Sequence, residues 1–373
     1  GLHWHKPSLG LLSYNGNTDN NIVARFSIDS VYDDPVGVPG ERFKGFTFAE
    51  LPADEINDQT PVFNRYALYA VVSSDGMKWT RLPRPAIRWF CDTWNIVSWD
   101  PIIKKYVGFF RGHQNGRAIS HSKTDDFHNW PPPKTLMTGA PDDGPSDDYY
   151  SNAYTTYPGR PDLRLLFPAI YHQDSDHCDV RMAISNEGYA YNWVTREPIL
   201  EVGNKGEWDC GQVYAQPNLI HLPDGRLALP YNAYDHTHNS DSALYKNNRR
   251  RNGLGWAIWE DGRLAGVQAD NAGEFYVHSF TLHGPEILIN YRASEEGKVE
   301  VELLERNQSE PIPGFSLNDC EPLLGDKVWS AARWKGQDLS TLKGKRVQMR
   351  FRLTKAKVFG YKVYFIPAST PLM

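Results

Sequence analysis

Three aspartates stand at matching places along the chain, each just ahead of a short apolar run. Asp92 lies in Phe90-Cys91-Asp92-Thr93-Trp94-Asn95 before Ile96 to Trp99. Asp148 precedes Tyr149-Tyr150-Ser151-Asn152-Ala153-Tyr154, and Asp209 sits in Glu207-Trp208-Asp209-Cys210-Gly211-Gln212-Val213-Tyr214. Carboxylates are simple acid–base catalysts: one donates a proton to a leaving oxygen while another attacks or activates water. Taken singly, each aspartate reads equally well as a turn cap bonded to nearby backbone amides. As a set at equivalent positions they favour a shared catalytic role. Trp208 and Tyr214 flank Asp209 and would exclude water and raise its pKa, which marks Asp209 as the expected general acid.

Further polar residues follow apolar strands and are expected to line a pocket. Arg111 and His113 come after Tyr106 to Phe110, His172 after Ala169-Ile170-Tyr171, Arg181 after Asp179-Val180, and His236 within Tyr234-Asp235-His236-Thr237-His238; Tyr154 closes the run after Asp148. Guanidinium and imidazole groups suit an anionic ligand, since arginine grips carboxylate or sulfate through two parallel bonds. Bridging to the plentiful aspartates is the equal alternative. His236 and His238 lack an evident third metal ligand, so no zinc site and no cofactor is expected, although a structural calcium ion would fit such a chain. Cys91, Cys178, Cys210 and Cys320 form no CxxC pair; a Cys178 to Cys210 disulfide and buried free thiols are both compatible with their spacing.

Positioning these residues requires repeated strands, and the chain carries such a repeat. Ser73-Ser74-Asp75-Gly76-Met77-Lys78-Trp79 recurs in looser form at Ser122 to Trp130 and at Ser185 to Trp193, each time after an apolar strand such as Tyr66 to Val72. A fourth copy spans Gly255 to Gly262. Strand, polar turn and tryptophan in series predict an all-β five-bladed propeller over residues 1–269, the turn joining two outer strands and the tryptophan packing between blades. Gly1-Leu2-His3-Trp4 matches the end of the same motif, so the first blade is expected to be incomplete at the N-terminus, with an upstream polypeptide as partner to complete it. Over residues 270–373 period-two alternation takes over, most clearly at Val347, Met349, Phe351 and Leu353, and predicts a C-terminal antiparallel β-sandwich.

Composition limits the function classes. The chain has 373 residues, 13% of them aromatic, and a formal net charge of -5. Its one basic run, Arg249 to Arg251, reads as a solvated loop, so nucleic acid is not an expected partner. No apolar stretch reaches the roughly 20 residues needed to span a bilayer as a helix, so no membrane role is expected. The sequon Asn307-Gln308-Ser309 and a first residue other than Met agree with a processed, secreted protein.

The segments GLHWHKPSLGLLSYNGNTDNNIV, SSDGMKW, DTWNIVSWDPIIKKYVGFFR, YYSNAYTTYPG and WKGQDLSTLKGKRVQMRFRLTKAKVFGYKVYF together resemble a group of bacterial and marine proteins labelled glycoside hydrolases, similar to the invertase–levanase and arabinanase clans. The likeness runs over nearly the whole chain and is most specific at the end segment. It implies a five-bladed propeller with its site in the central depression, a β-sandwich behind it, and a poly- or oligosaccharide substrate cut by carboxylates. It also implies that one catalytic acid comes from a strand upstream of Gly1. The chain departs from the invertase pattern in carrying Asp209 where that pattern has a glutamate. A non-catalytic carbohydrate-binding propeller is the alternative, and a polysaccharide lyase using Tyr154, His172 and Arg181 is a third reading.

Overall fold

The computed structural model describes residues 5–240 and 251–363, and within these the chain is built almost wholly from strands. No helix among the described residues is long and apolar enough to cross a membrane. The chain divides into two compact units, Gly1–Ile220 with Ala228–Ile258, and His221–Leu227 with Trp259–Met373.

In the first unit β1 (Asp29–Asp33), β2 (Phe43–Glu50), β3 (Tyr66–Ser73) and β4 (Thr80–Ile87) form a four-stranded sheet in chain order. A second such sheet holds β5 (Ile96–Asp100), β6 (Lys105–His113), β7 (Arg117–Thr124) and β8 (Lys134–Met137). The remaining strands are β9 (Asp147–Tyr157), β10 (Arg160–His172), β11 (His177–Val180), β12 (Ala183–Ser185), β13 (Asn192–Trp193), β14 (Gln212–Ala215), β15 (Ile220–His221), β16 (Leu227–Tyr234) and β17 (Asn252–Trp259). They join in one nine-stranded sheet, where β11 pairs with β14 in parallel through Cys178 and Gln212. Middle strands read as continuous apolar runs because both faces are covered: β3 and β6 are buried at seven successive positions each.

The sequence repeat has a local cause. Ser73 Oγ accepts from the backbone amides of Asp75 and Gly76, and Asp75 Oδ1 accepts from those of Met77 and Lys78, which closes the turn between β3 and β4. Gly76 lies at φ +76°, a conformation that glycine adopts without cost. Ser185 does the same for Glu187 and Gly188 between β12 and β13, and Thr124, not Ser122, holds Asp126 between β7 and β8. In the first two copies the tryptophan indole donates to a carbonyl three residues back, Trp79 to Gly76 and Trp130 to Phe127. Trp130 also packs on Phe46 of β2 at 5.6 Å, so it fills the space between the first two sheets, as the repeat predicts.

In the second unit β18 (Val267–Tyr276), β19 (Phe280–Thr281), β20 (Ile287–Glu305), β21 (Asp326–Ala331) and β22 (Arg346–Val363) make one five-stranded antiparallel sheet. The expected two layers are therefore not two separate hydrogen-bonded sheets. Val347, Met349, Phe351 and Leu353 point inward on β22 as the alternation requires. The register slips opposite Ala293 to Lys298, where Lys355 takes a left-handed φ of 44°, and burial then changes phase to Ala356 and Val358. Connecting segments close the core with Phe315, Trp334, Leu339 and Leu342, and the Trp334 indole donates to Val301 O at 2.9 Å.

All four cysteines are free thiols, so the Cys178 to Cys210 disulfide does not form. Instead the Cys178 thiol lies 3.2 Å from the Tyr214 hydroxyl oxygen, and burial pushes its pKa up to about 12.

Candidate functional site

Two adjoining depressions in the first unit share Trp94. The larger, about 890 Å³, is lined among others by Asp29, Ser30, Gln216, Asn218 and Trp256. The smaller, about 300 Å³, is lined by Tyr150, Gln212, Tyr214, Asn232, His236 and others. Both volumes fall within the roughly 300–1,000 Å³ usual for small-molecule sites.

Backbone irregularities aim two of these side chains. On β1, Asp29 pairs with Phe46 and Tyr32 with Lys44, leaving Ser30 and Val31 opposite Gly45 alone. Ser30 takes φ +51°, and Asn218 in the same cavity takes +79°, conformations that cost non-glycine residues about 1–3 kcal/mol each and cluster at functional sites. On β9, Ser151 pairs with Ala169 and Tyr149 with Ile170, so Tyr150 is the extra residue of a bulge and escapes the alternation of its strand.

Asp29 is the carboxylate that reaches the larger cavity. Burial pushes its pKa above the ordinary carboxylate value, against the opposing effect of a hydrogen bond from Asn95 Nδ2 to its Oδ2 at 2.8 Å. Asn95 is fully buried and donates also to Thr93 O, which fixes its amide. Opposite, Tyr214 donates to Gln212 Oε1 at 2.7 Å, Gln216 donates to Asn232 Oδ1, and Gln212 Nε2 donates to His236 O at 2.8 Å. The Tyr150 ring meets His238 at 4.7 Å and Tyr214 at 6.1 Å. Hydroxyls and amides that both give and take hydrogen bonds thus stand beside aromatic faces.

The residues singled out from sequence fall into three groups. Asp92 and Asp148 are drawn to guanidiniums on either side of Tyr150. Arg111 lies 4.5 Å and Arg117 5.2 Å from that ring. Arg111 Nη1 donates to Asp92 Oδ1 at 2.5 Å, and Arg117 Nη1 donates to Asp148 Oδ2 at 2.6 Å, with the Arg117 backbone amide and Gln173 Nε2 adding two more bonds to Asp148. Tyr214 and His236 line the smaller cavity itself, whereas the two ion pairs reach it only through Tyr150. His113, whose imidazole pKa burial and then Arg111 lower, borders two neighbouring hollows, one aromatic beside Phe63 and Phe90, the other beside Arg117 and Asp148.

Asp209 has a different set of contacts: Tyr231 donates to its Oδ2 at 3.3 Å, and Trp208 stacks on Tyr231 at 5.7 Å.

The third group is packed into the core or ion-paired within the protein. Tyr154 is a core residue, stacked on Phe109 at 4.5 Å and 3% exposed, so its ring contributes packing rather than a binding surface. His172 is clamped between Asp147 Oδ1 at 2.6 Å and Asp179 Oδ2 at 2.8 Å, and Arg181 bonds Asp143 and Asp147. The hydrogen bond to Asp179 first, and that to Asp147 next, raise the His172 pKa to about 9. This cluster is the aspartate-bridging alternative for His172 and Arg181. No group of three or more metal-ligating side chains suited to a metal ion occurs among the described residues. Of the basic run, Arg249 and Arg250 lie outside the described residues; Arg251 bonds Asp235 Oδ2 at 2.9 Å.

Sequence reasoning passed over Asp29, Trp94, Asn95, Tyr150 and the Gln212–Asn232 amides. Asp29 had a signal: it opens the first strand of its sheet, much as Asp92 and Asp148 stand at the head of theirs.

No protein-family model matches the sequence, and no curated relative matches it. In fold the chain is similar to solved structures of glycoside hydrolases and phosphorylases. One is a β-1,2-mannobiose phosphorylase from Listeria innocua, 14% identical over 65% of this chain and 75% of that one, with a TM-score of 0.41. Another is a family 32 β-fructofuranosidase from Bombyx mori, 11% identical over 88% and 90%, with a TM-score of 0.39. A third is an N-acetylgalactosamine deacetylase from F. plautii, 12% identical over 60% and 70%, with a TM-score of 0.45.

Proposed function

We propose that this chain is a glycoside hydrolase acting on a poly- or oligosaccharide, with the sheets of its first unit serving as blades of a propeller around the two depressions. The observation that carries this reading is the pairing, through Trp94, of a half-buried carboxylate whose pKa burial raises with a hollow of aromatic faces and amides. Such a hollow matches a sugar ring: the aromatic faces cover its C–H surface, while the amides and phenols bond its hydroxyls.

In this reading Asp29 gives its proton to the leaving oxygen, and Asn95 holds the carboxyl in place. Asp92 and Asp148 are paired with Arg111 and Arg117 and position Tyr150 rather than attack the sugar. Hydrolysis also needs a second carboxylate, to attack the sugar or to activate water.

Reducing-end release from a panel of oligosaccharides by the natural protein and by its Asp29→Asn variant tests the proposal. A loss of about 10²-fold or more in kcat, with sugar binding retained, supports it. Turnover unchanged in the variant would overturn Asp29 as the acid. Binding without turnover in the unmodified protein would favour a non-catalytic carbohydrate-binding role.

A further inference from the structure

The charge of a fitting ligand follows from the cations around the site. We infer that the site selects an uncharged sugar, because each arginine beside it among the described residues is already neutralised by an aspartate of its own. This deepens the glycan reading given above and rests on it.

Among the described residues lining the two depressions there is no lysine or arginine, and Asp29 is the one carboxylate. The nearest guanidiniums, those flanking Tyr150, each carry a short ion pair: Arg111 with Asp92 and Arg117 with Asp148. Arg111 is 7% exposed, and its Nη2, the nitrogen without a bond, is enclosed by protein and out of a ligand's reach. Arg251 is held by Asp235, which also bonds His236. His238 is kept towards its neutral form, by burial first and by the two arginines next.

A carboxylate or sulfate entering this hollow would give up its water and meet no free cation among the described residues, and that loss is large. A neutral sugar brings hydroxyls that the Gln212, Gln216, Asn218 and Asn232 amides can satisfy in either sense. Asp92 and Asp148 are then specificity-determining residues: they mask two arginines that would otherwise attract acid sugars.

Calorimetric titration at low and high salt tests this, using neutral gluco-, manno- and galacto-oligosaccharides against uronate and sulfated oligosaccharides. The unmodified protein should bind a neutral member with an affinity that salt leaves unchanged. Asp92→Asn, at a half-exposed position, and Asp148→Asn should each raise affinity for an acid sugar about tenfold or more, with a new salt dependence. Should Asp148→Asn fail to fold, the Asp92→Asn variant and the preference of the unmodified protein still decide. Salt-sensitive preference of the unmodified protein for acid sugars overturns the inference while leaving the glycan reading intact. Binding of neither class overturns both.

Discussion

The Asn95 amide donates through Nδ2 to Asp29 Oδ2 at 2.8 Å and so ties the residue ahead of β5 to the first residue of β1. That bond lowers a pKa that burial raises. Replacing Asn95 with valine removes the donor, and the Asp29 pKa should rise further. If Asp29 acts as an acid, the high-pH limb of kcat/KM moves to higher pH in the variant. Carbon-13 NMR titration of the aspartate carboxyls checks the shift without a substrate; an unchanged or lowered Asp29 pKa would contradict it.

His172 gives a second prediction, about stability. Its folded pKa of about 9 lies above the ordinary value of about 6.5, so its ion pairs stabilise the protein fully below pH 6.5. The contribution is lost as pH rises through about 9, when the imidazole gives up its proton between Asp147 and Asp179. Urea unfolding should show stability falling across that interval, and His172→Gln should flatten the fall. A variant with the same slope as the parent would show that other groups carry it.

These two residues mark how far the sequence was legible. Hairpins such as β3–β4 could be read because Ser73, Gly76 and Trp79 act on backbone within a few residues of themselves. The alternation at Val347 to Leu353 could be read because one face of β22 meets a core. The site was harder to see. Asp29 and Tyr150 stand at bulges, where one extra residue breaks the period on which strand reading depends. The partners of Arg111 and Arg117 lie 19 and 31 positions away, and only folding decides whether a basic side chain is masked or free. For the same reason His172 and Arg181 looked like ligand groups until Asp143, Asp147 and Asp179 were found around them.

Arg164 and Asp100 supply a third prediction. Both side chains are 1% exposed, and Arg164 donates through Nε and Nη2 to the two oxygens of Asp100 at 2.5 and 2.9 Å. Arg164→Met leaves a buried carboxylate without its cation and should cost roughly 3–5 kcal/mol. Adding Asp100→Asn to that variant should recover part of the loss, because the charge is gone while the side-chain oxygen still accepts from the Ile102 and Ile103 amides. Chemical denaturation of both variants measures this, and a double variant no more stable than Arg164→Met would refute the account.

Gly211 links the fold to the site most directly. A Cβ built there would lie 2.1 Å from the His236 carbonyl oxygen and 2.2 Å from its carbon, and backbone atoms, unlike the end of a flexible side chain, cannot step aside cheaply. The Gly211 amide meanwhile donates to Tyr234 O at 2.9 Å, so the two segments are held at this spacing from both sides. Gly211→Ala must therefore push the His236 backbone away, breaking the bond from Gln212 Nε2 to His236 O and moving two lining residues of the smaller cavity at once. The expected cost is about 1–3 kcal/mol of stability together with a loss of sugar affinity larger than that cost implies for a distant site. Gly139→Ala, whose added carbon meets its nearest neighbour at 3.9 Å, is the control and should change neither quantity. Thermal unfolding and calorimetric titration of the two variants side by side separate the outcomes, and full affinity in Gly211→Ala would mean that His236 and Gln212 do not touch the sugar.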